Sequence, residues 1–125
     1  MSRKVLIVDD DPHIRRLLEQ TLESVQDELE FETLAADSGE TGLRLIEQEK
    51  PDLVFLDVMM PGMDGFEVCR RVNGLGASHG SYIILLTARG QQSDRLKGLA
   101  AGAHRYLTKP FDPDDIVRLV ESFFV

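Results

Sequence analysis

Short apolar runs alternate with amphipathic stretches along most of this chain. Val5-Leu6-Ile7-Val8, Leu53-Val54-Phe55-Leu56 and Ile83-Ile84-Leu85-Leu86 are apolar at consecutive positions, as strands are when both faces of their sheet are covered. Between them apolar residues recur at helical spacing, as in Ile14, Leu17, Leu18, Leu22 and Val25, and again in Ile116, Leu119, Val120 and Phe123. This alternation predicts repeated βα units around a parallel sheet.

The pattern predicts strands β1 from Lys4 to Val8, β2 from Phe31 to Ala35, β3 from Leu53 to Leu56, β4 from Tyr82 to Leu86 and β5 from Arg105 to Thr108. Glu30 and Glu32 interrupt the apolar character of β2, which suits an edge strand. Helix α1 follows β1 with Pro12 in its first turn, where the missing N–H costs nothing. Helix α2 takes Ser38 as its N-cap and runs to about Glu49, closed by Pro51. Helix α3, from Gly65 to Val72, turns Val68, Cys69 and Val72 inward. A loop with Gly74, Gly76 and Gly80 then spans Asn73 to Ser81. Helix α4, from Gln91 to Ala101, is expected to turn Leu96, Leu99 and Ala100 inward, and α5 starts near Pro113. The fold class expected is α/β, a (βα)5 doubly wound parallel sheet in one domain over residues 1–125.

Composition narrows the setting. The 125 residues are 42% hydrophobic and 29% charged, ordinary for a globular domain, and no apolar stretch approaches the ~20 residues of a membrane span. The first residues lead straight into a strand without an apolar signal region, so a cytoplasmic protein is expected. The single Cys69 cannot form an internal disulfide, which agrees with a reducing compartment. The net charge of −8 comes with no cluster of Lys and Arg, so this domain is not expected to bind nucleic acid.

Each apolar run ends in a residue that can do chemistry. β1 ends in Asp9-Asp10, β3 in Asp57, β4 in Thr87 and β5 in Lys109-Pro110. In a parallel sheet these ends share one edge, where open α/β folds bind ligands. Asp9-Asp10-Asp11-Pro12 also has the composition of a turn with helix-capping acids, but Asp57 on the same edge adds a third carboxylate. Adjacent carboxylates repel unless a cation offsets them, and such oxygen donors suit Mg²⁺, which takes six oxygens at ~2.0–2.1 Å. His13, His79 and His104 are scattered, which disfavours a transition metal. A carboxylate beside Mg²⁺ can attack phosphorus to form an acyl phosphate. The Thr87 hydroxyl and Lys109 ammonium could then bind phosphoryl oxygens, and Lys109 is expected to pair with Asp57 beforehand.

At these residues the sequence resembles the receiver domain of two-component response regulators over essentially its whole length. The motifs are Val5-Leu6-Ile7-Val8-Asp9-Asp10-Asp11, Asp52-Leu53-Val54-Phe55-Leu56-Asp57, Met60-Pro61-Gly62-Met63-Asp64-Gly65, Leu86-Thr87-Ala88-Arg89, Gly102-Ala103 and Tyr106-Leu107-Thr108-Lys109-Pro110-Phe111. The resemblance implies a flavodoxin-like sheet in the order 2-1-3-4-5. It implies that Asp57 accepts a phosphoryl group from a histidine kinase or phosphotransfer protein. Asp10 and Asp57 would ligate Mg²⁺ directly with the Met59 backbone carbonyl, and Asp9 through metal-bound water. Thr87 and Lys109 would hold the phosphoryl oxygens, and Lys109-Pro110 looks like the family's cis peptide. Tyr106 stands where the family's switch aromatic stands, so ring in or ring out would report on the α4–β5–α5 surface to a downstream domain or protein. The domain would act in signalling, catalysing only its own phosphorylation and dephosphorylation.

Two local features refine this. Met59 and Arg89, each two residues after a site residue, would flank the water that attacks the acyl phosphate and slow that attack. Leu86-Thr87-Ala88-Arg89-Gly90 and Asp94-Arg95 resemble the winged-helix transcription-factor branch, whose receivers often form a phosphorylation-dependent dimer through α4–β5–α5. Where that branch usually has an acidic pair, this chain has His104-Arg105, which reverses the local charge; His104 could also titrate there, although a solvated side chain is the expectation.

Three rival readings draw on the same residues. An aspartyl phosphatase would place a second acid two residues after the nucleophile, where Met59 stands. A flavin or nucleotide binder would need a Gly- and Ser-rich phosphate loop after β1, where three acids stand. A phosphorylation-independent interaction module on the same fold is the remaining alternative. The apolar ending at Phe123-Phe124-Val125 leans toward a piece of a longer regulator over a stand-alone receiver.

Overall fold

A computed structural model describes residues 3–75, 80–88 and 93–124. The elements run β1 (Arg3–Val8), α1 (Pro12–Leu29), β2 (Phe31–Ala36), α2 (Gly39–Glu49), β3 (Leu53–Asp57), α3 (Gly65–Gly74), β4 (Tyr82–Thr87), α4 (Ser93–Ala101), β5 (Arg105–Thr108) and α5 (Pro113–Phe124). All strand pairs are parallel, in the order β2-β1-β3-β4-β5. The acid-interrupted β2 lies at an edge, as its sequence suggests.

The two-residue period of the strands sorts their apolar side chains into two cores. Leu6, Val8, Val54, Leu56, Ile83 and Leu85 pack with residues of α2 and α3 on one face. Val5, Ile7, Leu53, Phe55, Ile84 and Leu86 meet α1 and α5 on the other. Phe55 is wholly buried, so its truncation to Ala would cost about 3–5 kcal/mol. Cys69 is buried in the first core, as its spacing indicates.

The helices start where their capping residues stand. The Asp11 carboxylate accepts from the His13 N–H, with Pro12 opening α1; Ser38 caps α2 and Asp64 caps α3 through their side chains. In α1 the inward stripe includes Thr21, while Leu17 is left 38% exposed. The Thr21 hydroxyl can take that place because it donates to the Leu17 carbonyl at 2.7 Å.

Helix α4 departs from expectation. Leu96 and Leu99 are 74% and 58% exposed, and Ala100 is exposed as well; Gly98 and Ala101 are buried instead. The helix lies so close to β4 that a Cβ on Gly98 would fall 2.7 Å from Leu85 Cδ1. A small residue suits that contact, and the leucines face out. The expected start at Gln91 lies outside the described residues. Helix α3 reaches two residues further than expected, through Gly74.

An aromatic row crosses the amino ends of the strands. His104 stacks on Tyr82 at 4.8 Å, Tyr82 meets Phe123 at 5.2 Å, Phe123 meets Phe124 at 5.1 Å, and Phe124 stacks on Phe31 at 5.6 Å. The Arg3 guanidinium covers Phe124 at 5.0 Å. The opposite edge of the sheet holds the acids.

Candidate functional site

Strand register brings the candidate residues to one edge. Val8 pairs with Leu56, Asp57 with Leu86, and Thr87 with Thr108, so Asp9, Asp57, Thr87 and Lys109 end neighbouring strands at nearly the same height. Asp9 is fully buried and Asp57 is 4% exposed, while Asp10 is exposed. Asp9, Asp10 and Asp57 each bring one carboxylate oxygen within 4.8 Å of the others.

Lys109 joins the two buried acids. Its Nζ donates to Asp9 Oδ2 at 3.0 Å and to Asp57 Oδ1 at 3.1 Å. The expected pairing with Asp57 is therefore present, and Asp9 shares it. The other Asp9 oxygen accepts the Asp11 N–H at 2.9 Å. The Lys109-Pro110 peptide is cis, as the resemblance implied, and the Lys109 N–H donates to the Thr87 carbonyl.

One ammonium does not neutralise this group. Burial, then the charge of Asp9, pushes the Asp57 carboxyl up to about 6, against the pull of Lys109 and the Met59 backbone N–H. Burial pulls the Lys109 ammonium down, but Asp9 and Asp57 outweigh it and hold the group above its ordinary value. Asp9, Asp10, Asp57 and Lys109 together carry an excess of negative charge. The donors are all oxygen, with no imidazole or thiolate, so the residues present fit a hard divalent cation such as Mg²⁺.

Thr87 is wholly buried. Among the described residues, its Oγ1 is the buried side-chain oxygen that has no hydrogen-bond partner. An unmet buried hydroxyl costs about 1–3 kcal/mol. Such a group fits a site that receives an acceptor oxygen.

The loop after Asp57 folds back tightly. The Val58 N–H donates to the Leu86 carbonyl and the Gly65 N–H to the Val58 carbonyl, both at 3.0 Å. A Cβ on Gly65 would lie 2.4 Å from the Asp57 carbonyl oxygen, so this approach requires glycine. The Met59 side chain is 67% exposed beside a shallow cavity of about 430 Å³ that it lines with Met60, Pro61 and Asp64. Its expected partner in shielding, Arg89, lies outside the described residues, as does His79. Tyr106 is half-buried and lines a groove of about 330 Å³ between α4 and β5, with Leu85, Gly98, Leu99, Ala103 and His104-Arg105.

Two residues do more than their sequence context suggests. His104 is exposed, yet its Nδ1 accepts the Ile83 N–H at 3.0 Å and its ring stacks on Tyr82, so it is tied to β4 as well as solvated. Arg15 reaches back from α1 and donates from Nη1 to the Asp9 carbonyl at 2.9 Å. A cation that binds a main-chain carbonyl leaves no motif; the available clue was its spacing, one helical turn after Asp11.

The model of the response regulator receiver domain family matches residues 5–121, and the chain belongs to that family. It is 40% identical over 122 residues to the alkaline phosphatase synthesis transcriptional regulatory protein PhoP of Bacillus subtilis (strain 168), covering 98% of this chain and 48% of that protein. It is 41% identical over 122 residues to the transcriptional regulatory protein ResD of the same organism, covering 95% of this chain and 47% of that protein. The chain thus spans about half the length of these curated relatives. The crystal structure of a CheY-like response regulator receiver domain protein from Methanospirillum hungatei JF-1 superposes with a TM-score of 0.85 at 30% identity, covering 98% of this chain and 93% of that one. No helix of the described residues is long and apolar enough to cross a membrane.

Proposed function

We propose that the chain is a Mg²⁺-dependent phosphoacceptor that takes a phosphoryl group from a histidine kinase, or a phosphotransfer protein, onto Asp57. The observation that carries this is the Lys109 ammonium between Asp9 and Asp57, with Asp10 beside them and the unpartnered Thr87 hydroxyl on the next strand.

Asp57 is the nucleophile because it ends β3 inside the cleft and its carboxylate is only partly neutralised. A carboxylate oxygen bonds to phosphorus as the bond from phosphorus to the donor nitrogen breaks, and the donor imidazole leaves with that electron pair. Asp10, Asp57 and the Met59 carbonyl would hold the cation directly, with Asp9 acting through its bound water. When bound, the cation offsets charge on the transferring oxygens. Lys109, already beside Asp57, turns to a phosphoryl oxygen, and the Thr87 hydroxyl donates to another. The Asp57 carboxyl must be ionised to attack, and its raised value makes that ionisation sensitive to the neighbouring cation.

Thr87 is also the input to the switch. Drawing its hydroxyl toward the phosphoryl group frees space behind it, and the Tyr106 ring moves to fill that space. The α4–β5–α5 surface then changes shape for a downstream domain or protein. Relatives named as transcriptional regulators support a transcriptional output for that partner, while this domain itself does not bind nucleic acid.

The test is incubation of the chain with Mg²⁺ and acetyl phosphate, followed by intact mass. A gain of one phosphoryl group that Asp57→Asn abolishes is expected. No gain by the folded chain would favour a phosphorylation-independent interaction module. Turnover of the donor without a lasting adduct would favour a phosphatase.

A further inference from the structure

Between the end of β1 at Val8 and the start of α1 at Pro12 only Asp9, Asp10 and Asp11 intervene. Asp9 is held by its side chain. Asp10 is not: it is exposed, and no described residue hydrogen-bonds its carboxylate. One of its oxygens nevertheless stays within 4.8 Å of oxygens from Asp9 and Asp57, where repulsion should drive a free side chain outward. The backbone must therefore aim it.

The peptide plane on the amino side of Asp10 is the one that carries the Asp9 carbonyl. Arg15 Nη1 donates to that carbonyl at 2.9 Å. The Asp9 N–H, bonded to the Ala36 carbonyl at 3.1 Å, fixes the preceding peptide, and the Asp11 N–H, bonded to Asp9 Oδ1, fixes the following one. The plane between them depends on Arg15. The Arg15 N–H in turn donates to the Asp11 carbonyl at 3.0 Å, so both ends of the acidic turn are tied to one residue of α1. We propose that Arg15 is a positioning residue that orients the Asp9–Asp10 peptide and so preforms the divalent-cation site. This rests on the reading that Asp9, Asp10 and Asp57 hold such a cation.

The two possible roles of Arg15 predict effects of opposite sign. A positive charge near a cation site repels the cation, so removing Arg15 would tighten binding if charge were its main role. If Arg15 acts by aiming Asp10, removing it must weaken binding. The experiment is calorimetric titration of Mg²⁺ into the metal-free chain, its Arg15→Ala and Arg15→Gln variants, which lose the long guanidinium, and Arg15→Lys.

Both neutral variants should bind Mg²⁺ about tenfold more weakly, the range seen when a supporting partner of a metal ligand is lost. Arg15→Lys should recover part of this, since an ammonium can still reach a carbonyl. With acetyl phosphate, the Mg²⁺ concentration for half-maximal phosphorylation should rise by the same factor while the rate at saturating Mg²⁺ stays that of the unaltered chain. Thermal unfolding in EDTA should change little. Unchanged or tighter Mg²⁺ binding by the neutral variants would overturn the proposal, as would a loss of stability in EDTA with affinity intact. Absence of Mg²⁺ uptake by the unaltered chain would overturn the cation reading itself, and the proposal with it.

Discussion

Replacing Asp57, the proposed phosphoacceptor, should make the metal-free domain more stable. Asp57→Asn keeps the shape of the side chain and removes its charge. In the folded chain, burial and Asp9 raise the carboxyl from its ordinary 3.8 to about 6. At about 1.4 kcal/mol per pH unit, that difference corresponds to about 3 kcal/mol of destabilisation at neutral pH. Solvent at the mouth of the cleft trims this to about 2 kcal/mol. The loss of the Lys109 pair is already counted, because its pull acts on the same carboxyl, and Lys109 keeps Asp9. The sign follows from the raised value. Between the unfolded 3.8 and the folded value near 6 the folded chain holds the extra proton, so stability falls as pH rises through that window and is flat with respect to this group on either side. Urea unfolding in EDTA at pH 7 should show Asp57→Asn ahead by about 2 kcal/mol, with the gap closing as the pH is lowered toward 4. A variant less stable than the parent at pH 7, or a gap that ignores pH, would refute this electrostatic account of the cleft.

Thr87→Val removes the unpartnered buried hydroxyl at constant shape, so it should raise the urea midpoint by about 1 kcal/mol equivalent and abolish any change in tyrosine emission on phosphorylation; a loss of stability would mean the hydroxyl is satisfied after all. Gly65→Ala should cost about 1–3 kcal/mol, because its methyl group meets the Asp57 carbonyl, and should slow acetyl phosphate labelling by displacing the acceptor; normal labelling would show that the loop yields freely. Met59→Ala with Arg89→Ala should shorten the lifetime of the phosphorylated form, measured by the decay of the mass adduct, and an unchanged lifetime removes shielding from the account. Phe124→Ala, in the aromatic row, should cost about 2 kcal/mol, below the range for a fully buried phenylalanine because the ring is only partly buried. It should leave the labelling rate at Asp57 unchanged, and slowed labelling would contradict the separation of the two ends of the sheet.

Much of the site is legible in the apolar runs alone. Consecutive apolar residues betray a strand covered on both faces, and the residue that follows each run lies at the sheet edge. That reasoning brings Asp9, Asp57, Thr87 and Lys109 together without knowledge of their contacts. Strand order was not legible from periodicity, because nothing in a run such as Leu53–Leu56 names its neighbours; it came from resemblance. The face of α4 was misread because Gly98 and Ala101 pack by being small and leave almost no hydropathic trace, whereas Leu96 and Leu99 dominate the pattern from the solvent side. Arg15 and His104 were missed as structural ties because each engages the main chain, and main-chain partners are the same at every position.

The aromatic row gives the domain an uneven stiffness. At the amino ends of the strands, rings run from His104 across to Phe31, and the Ile83 amide is pinned to an imidazole. Among the described residues α4 carries no such row: Gly98 lies against Leu85 of β4, and Leu96 and Leu99 stand in water. On the proposed switch, a displacement that begins at Thr87 would meet that aromatic base on one side and the solvent-faced α4 on the other. Motion would then be channelled sideways into α4, with the sheet as the anvil against which that helix is moved.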